Sequence, residues 1–112
     1  MSATYIHEGS SIDYTPTVDV TAGDVIVQGE LVGVAKLDIL ANTLGSLSVA
    51  GVFDFAKATG GGTGIAAGAD VYWDATASQA TTNDGTGTNK KIGRTVTAST
   101  DADTTTRVRM SQ

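Results

Sequence analysis

The chain has 112 residues, which is enough for one domain with a single core. Only 17% of the residues are charged, and the abundance of glycine, threonine, alanine and serine disfavours helix bundles, coiled coils and large α/β enzymes. The net charge of −5 argues against nucleic acid as the main partner, and the absence of cysteine excludes disulfides, zinc ribbons and cysteine nucleophiles.

Short strands separated by glycine, aspartate and asparagine turns follow one another along the chain. Alternating or apolar runs predict about seven strands, near residues 17–20, 25–27, 31–35, 47–55, 71–74, 92–96 and 105–110. This spacing is typical of a small all-β barrel or sandwich. We therefore divide the chain into an N-terminal arm or first strand, residues 1–16, and a single β domain, residues 17–112.

One leucine-rich stretch is ambiguous between helix and irregular structure. Leu37, Leu40 and Leu44 have helical spacing, but Asn42 and Gly45 interrupt the pattern. We expect an irregular turn or a short strand there, with a short helix as the alternative.

Two pairs of segments resemble each other within the chain. Residues 67–71 echo residues 22–26 as a turn of small residues, glycine and an acid before a strand, and residues 92–96 echo residues 31–35. We infer two similar turn–strand–loop–strand units, which are too few to indicate a solenoid. Gly33, inside a predicted strand, indicates a bulge or a close approach of two backbones.

The sequence contains no convincing catalytic, cofactor or metal site. His7 is the only histidine, so a zinc site with several histidines is excluded. Residues 62–67 fit a relaxed dinucleotide pattern, but a strand and not a helix is predicted after them. The aspartates near residues 84 and 101–103 lack the later glutamate of a calcium loop. We therefore predict no enzyme activity, no cofactor and no metal.

Two features indicate contacts with other proteins. Tyr72 and Trp73 are adjacent in a predicted strand and point to opposite faces, so one belongs in the core and the other is an interface candidate. Arg107 and Arg109 share one face of the last strand and are also interface candidates. Residues 90–112 hold five basic and two acidic side chains in an acidic chain, which suits electrostatic complementarity between neighbouring copies or with a partner. An ordinary solvated surface is the alternative.

Several motifs, in their order and spacing, resemble the phage capsid cement family. They are YIHEG at residues 5–9, GDVI at 23–26, LVGVA at 31–35, GVFDFAKATG at 51–60, AGADVYWD at 67–74, IGR at 92–94 and RVRM at 107–110. The resemblance covers nearly the whole chain. The sequence departs from the family in its three-glycine loop and at Ala56, where relatives often have proline.

The resemblance implies a protein similar to the head decoration proteins of lambda-type phages. It implies a small β-barrel or β-tulip-like domain with an extended N-terminal arm. The implied function is to bind the outer surface of the mature tailed-phage head at local three-fold sites and to stabilise the shell. The implied partners are the major capsid protein and further copies of the chain, in a homotrimer on the capsid.

The N-terminal segment is the predicted capsid contact. Residues 1–14 have too little apolar content to pack firmly alone, and an arm can pair with a strand edge of another protein. We therefore predict Thr4, Tyr5 and Ile6 as capsid-binding residues, with a frayed terminus or an ordinary first strand as the alternative.

The sequence also predicts where the protein is made and where it is located. No apolar run approaches about 18 residues, so we expect no membrane partner. The first residues lack the features of a signal peptide, so we expect synthesis in the host cytoplasm and a final place on the virion. The alternative function is a small β-barrel binding module of another virion or cell-surface assembly, with an exposed aromatic groove around Tyr72 or Trp73.

Overall fold

The computed structural model describes residues 3–4, 6 and 9–111, and these residues form nine strands in two antiparallel sheets. The strands are β1 (Ser11–Tyr14), β2 (Val25–Gln28), β3 (Leu31–Val34), β4 (Gly45–Ser48), β5 (Gly51–Ala56), β6 (Asp70–Asp74), β7 (Gln79–Thr81), β8 (Lys90–Thr95) and β9 (Thr105–Met110). One 3₁₀ turn, Gly85–Gly87, lies between β7 and β8. The all-β prediction is confirmed, with nine strands where about seven were expected.

The two sheets repeat one strand order. The first sheet has the order β1-β4-β3-β2, and the second has β5-β9-β8-β6 with β7 added outside β6. In the first sheet the consecutive strands β2, β3 and β4 are neighbours and β1 lies beside β4, which is the arrangement of a Greek key. The second sheet repeats this order with β6, β8, β9 and β5, and β7 is inserted in the chain between β6 and β8. Within the described residues both sheets are open, so the expected closed barrel is not formed. We call residues 11–48 the first unit and residues 51–110 the second unit.

Hydrogen bonds outside the strands repeat in the same way. Gly23 N donates to Ala35 O at 2.6 Å, and Gly68 N donates to Thr95 O at 3.0 Å. An isolated antiparallel bridge then joins Val20 to Ile39 in the first unit and Ile65 to Ser99 in the second. Ile39 follows Ala35 by four positions, and Ser99 follows Thr95 by four positions. These two segments therefore match residue by residue. The prediction of two similar units is confirmed.

The matching glycines Gly33 and Gly93 mark close contacts between neighbouring strands. A Cβ at Gly33 would lie 2.9 Å from Leu47 Cβ, which confirms the close approach expected there. A Cβ at Gly93 would overlap Arg109 O and lie 2.8 Å from Ser111 N, so β8 and β9 run closer still. The matching strands β3 and β8 therefore each require a residue without a side chain at this position.

The units have cores of different size. The first unit buries a small cluster, which consists of Val20, Ala35, Ile39 and Leu47. The larger cluster belongs mainly to the second unit: Phe55, Ile65, Val71, Trp73, Ala80, Ile92, Val108 and Met110. Val32 and Val34 of β3 join this larger cluster, so the first sheet packs on the second through β3 and β8. The inner faces of these strands are rich in β-branched side chains, which fit a pleated, buried surface.

Three details of the predicted strands are wrong. The run 47–55 was expected to be one strand, but it divides into β4 and β5, which belong to different sheets. Gly51, with a φ of 118°, supplies the backbone conformation at the crossing. Residues 17–20 contribute only the bridge at Val20, and β7 lies in a threonine- and alanine-rich stretch with no strand predicted.

Candidate interaction surfaces

The outer face of the second sheet carries most of the predicted interface residues. Along β9, alternate residues Thr106, Val108 and Met110 are buried, so Arg107 and Arg109 project from the opposite, exposed face. Paired residues of neighbouring antiparallel strands share a face. The register therefore groups these arginines with the exposed residues opposite them, which are Val52 and Asp54 on β5 and Arg94 on β8.

Ion pairs hold most of the charges on this surface. Arg107 binds Asp54 through two contacts, Nε to Oδ1 at 2.9 Å and Nη2 to Oδ2 at 3.2 Å. This hydrogen bond lowers the pKa of the Asp54 carboxyl, and it raises the pKa of Arg107. Asp70 accepts from Arg94 Nε at 3.0 Å and has Lys91 Nζ at 3.6 Å. Both cations lower the pKa of Asp70, and the hydrogen bond to Arg94 has the largest effect.

One arginine on this surface has no partner. Arg109 lies opposite Arg94 in the β8–β9 register, and its side chain makes no hydrogen bond or ion pair within the described part of the chain. We call this surface the basic face, and its charged members are Asp54, Asp70, Lys91, Arg94, Arg107 and Arg109. Its exposed apolar members are Val52, 54% exposed, and Val96, 48% exposed.

Tyr72 and Trp73 point to opposite sides of β6. Trp73 is buried in the core, and its ring centroid lies 6.0 Å from that of Phe55. Tyr72 is half-buried and shares the outer side of β6 with Asp70. Trp73 is therefore the core member of the pair, and Tyr72 lies beside the basic face. Trp73 lines a cavity of about 580 Å³ together with Val25, Ile26 and Val27, and Tyr72 does not line it.

The N-terminal candidates precede the edge of the first sheet. Thr4 is exposed and Ile6 is 79% exposed, while Tyr5 lies outside the described residues. His7 also lies outside them. Among the described residues β1 is an edge strand that pairs with β4 on one side, and no described strand pairs with its other side.

A groove beside β4 was not predicted. The loop from β3 to β4 is irregular, with one bridge at Ile39, and it exposes Leu37 by 77%, Leu40 by 65% and Leu44 by 67%. Together with Asp13, Lys36, Ser46 and Ser48, these leucines line a cavity of about 830 Å³. We call this cavity the leucine groove. The helical spacing of its leucines reflects a shared exposed surface and not a helix face.

The second unit has the same groove with a different lining. Its loop from β8 to β9 matches the leucine loop in length, since β4 begins ten residues after Ala35 and β9 ten residues after Thr95. The positions of the three leucines correspond to Thr97, Thr100 and Thr104. The cavity beside this loop has a volume of about 260 Å³, and its lining is mostly polar: Asp54, Thr97, Ser99, Asp103, Thr105, Thr106 and Arg107, with Ala98.

A buried lysine holds the loop of the second unit in place. Lys57 is 6% exposed, and its Nζ donates to three backbone carbonyls: Ala58 at 2.8 Å, Thr100 at 2.9 Å and Asp103 at 2.9 Å. Asp101 Oδ1 accepts from Gly64 N at 2.6 Å and ties the glycine-rich loop to the same loop. The sequence showed Lys57 only as the first residue of a loop, because two of its three acceptors, Thr100 O and Asp103 O, come from residues far away in the chain.

The described residues offer neither a metal site nor a membrane-spanning helix. The described residues contain no cluster of histidine, cysteine and acidic side chains able to hold a metal ion. Within them no helix is long and apolar enough to cross a membrane. Asp101 accepts a hydrogen bond from Gly64 N of the glycine-rich loop, and Asp103 accepts one from Thr100 N of its own loop.

Comparison with known proteins gives one match. The family model described as phage cement protein matches residues 6–110, which is nearly the whole chain. No curated protein and no solved structure matches it.

Proposed function

Because the chain belongs to the phage cement protein family, we propose that it binds the outer surface of the mature tailed-phage head at local three-fold sites and stabilises the shell there. Cement proteins are structural and not enzymatic. They belong to the virion capsid, which is therefore the location of this protein. The family match over residues 6–110 carries the proposal. Synthesis in the host cytoplasm precedes assembly.

Binding alone is sufficient for this role. Icosahedral symmetry repeats each contact many times, so a modest interface between one copy and the shell is multiplied by multivalency. A homotrimer at a three-fold site contacts three neighbouring capsid protein subunits and resists their separation.

The arm before β1 is our candidate for the capsid contact. Thr4 and Ile6 are exposed, and they precede a strand whose outer edge pairs with no described strand. An extended segment in this place is suited to pair with a strand edge of the major capsid protein. We include Tyr5 because it is the adjacent aromatic residue of the same segment.

Co-sedimentation with the shells of its own phage tests the function. We expect saturable binding to expanded, undecorated heads at about one copy per capsid protein subunit, and weaker binding to unexpanded proheads. Absence of binding to both forms would refute the proposal and favour the small binding module.

Shortened and substituted chains test the arm. Residues 2–9 are deleted and Ser10 is kept, because Ser10 O accepts a hydrogen bond from Val49 N at 3.0 Å. We expect loss of shell binding with an unchanged melting temperature. Ile6→Asp should weaken binding, while Val18→Asp, at a similarly exposed position, serves as the matched control. Undiminished binding by the shortened chain would exclude the arm.

A further inference from the structure

The fold does not require the exposed leucines of the first unit. The same backbone loop in the second unit has threonine at all three positions, which are exposed in both loops. The two units thus provide an internal comparison in which one groove is apolar and the other is polar. A cluster of leucines exposed by more than 60% each is typical of a surface that another protein covers.

Unpartnered charges lie on two surfaces. In the described part of the chain, three charged side chains have neither a hydrogen bond nor an ion pair: Asp13, Lys36 and Arg109. Asp13 and Lys36 line the leucine groove, and Arg109 lies on the basic face beside Val52. The groove and the basic face therefore offer opposite free charges next to exposed apolar groups.

We propose that the leucine groove of one copy binds the basic face of a second copy of this chain. In this contact Arg109 of one copy pairs with Asp13 of the other, and Val52 and Val96 cover the leucines. Lys36 finds carboxylates on the basic face in Asp54 and Asp70, each of which is 46% exposed.

The contact joins two different surfaces, so it is heterologous. Such contacts close into rings when the rotation between copies permits, and a ring of three copies has the symmetry of a three-fold site. The inference deepens the proposed function and rests on it for the place of assembly. The pairing of the two surfaces rests only on the chain itself.

The choice of a second copy as occupant follows from complementarity. Both halves of the contact, an apolar groove with a free carboxylate and an apolar surface with a free guanidinium, are present on every copy. The opposite charges of Asp13 and Arg109 favour this pairing, and a face-to-face contact would bring the unpaired Arg109 side chains of two copies together.

A charge exchange tests the proposed pair. Asp13→Arg and Arg109→Asp are made separately and together, and self-association is measured by sedimentation equilibrium of the free protein and by the cooperativity of its binding to expanded shells. We expect each single variant to weaken self-association about tenfold and the double variant to recover most of the loss. No recovery in the double variant would refute the pairing of Arg109 with Asp13.

A second set of variants tests the groove without changing charge. Leu37, Leu40 and Leu44 are replaced together by the threonines of the second unit, and Val18→Thr is the control at an exposed apolar position elsewhere. We expect the triple variant to lose self-association and keep its melting temperature, while the control keeps both. Retained self-association by a folded triple variant would overturn the proposal.

The outcomes separate this proposal from the proposed function. If the triple variant lost the binding of single copies to shells and kept self-association, the groove would be a capsid contact and the proposal would be wrong. A wild-type chain that stayed monomeric and filled shells without cooperativity would also overturn it, with the capsid function intact. If the wild type did not bind shells at all, the proposed function would fail, and sedimentation of the free protein would still test the contact between copies.

Discussion

The first and second units share a strand order, a set of hairpin hydrogen bonds and a glycine at the same position of the matching strands β3 and β8. They differ in how they use their matching loops. The second unit binds its loop with Lys57 and lines the adjacent cavity with polar side chains. The first unit leaves the loop without such a lysine and exposes three leucines. The backbone thus depends on a few small residues and bridges, while the loop side chains are free to serve stability in one unit and binding in the other.

The matching glycines should differ most in their tolerance of a side chain. Gly93→Ala places a Cβ against backbone atoms of β9, which cannot move without separating the strands, so we expect a loss of more than about 4 kcal/mol or no folding. Gly33→Ala places a Cβ 2.9 Å from the Cβ of buried Leu47 and meets no backbone atom as closely, so it should cost less, about 1–3 kcal/mol. Urea unfolding measures both, and equal losses would show that the two close contacts are equivalent.

The buried lysine should matter only in the unit that has it. Lys57→Met removes the donor for three carbonyls in a buried site, and we expect a loss of about 2–4 kcal/mol. Ser48 lies opposite Val34 as Arg109 lies opposite Arg94, so Gly45 matches Thr106 and Tyr14 matches Phe55. Lys57 therefore matches Pro16, which is buried and has no side-chain donor. Its exposed neighbour Thr15 is the control. Thr15 is exposed, so Thr15→Met should change stability by less than about 0.5 kcal/mol. A neutral Lys57→Met variant would show that the loop does not depend on this side chain.

Acid should remove a small stabilising effect that belongs to the second unit. The pKa of Asp54 is lowered from 3.8 by its hydrogen bond to Arg107, so the pair stabilises the fold above about pH 3.8 and loses this effect as the pH falls through the lowered pKa. Because both side chains are about half exposed, Asp54→Asn should lower the melting temperature at pH 7 by no more than about 2 °C. The difference from wild type should disappear in stronger acid. A difference that grew in acid would contradict this.

The sequence predicted the features that depend on local patterns. Alternation in 105–110 located β9, and the echo between residues 22–26 and 67–71 identified the duplication before any contacts were known. The glycine inside β3 correctly indicated a close approach. These predictions succeeded because period-two patterning and small residues in strands have direct structural causes.

The remaining features depend on contacts between distant residues. Residues 47–55 read as one strand because the pattern does not show that Gly51 turns the chain into another sheet. The sequence favoured an irregular turn or a short strand for the leucine-rich stretch but did not show that its leucines are exposed, because apolar spacing carries no information about which surfaces stay uncovered. Lys57 could not be recognised as buried, since its acceptors at Thr100 and Asp103 come together only in the folded chain.

The position of β9 sets the order in which the protein can fold during synthesis. The first sheet has all of its strands once residue 48 has left the ribosome, but β9 lies between β5 and β8 and the second sheet lacks a central strand until it emerges. A chain that stops before β9 lacks Val108 and Met110 of the larger core, and β5 and β8 lose the strand that joins them. We expect such a chain to be cleaved by proteases faster than the full chain.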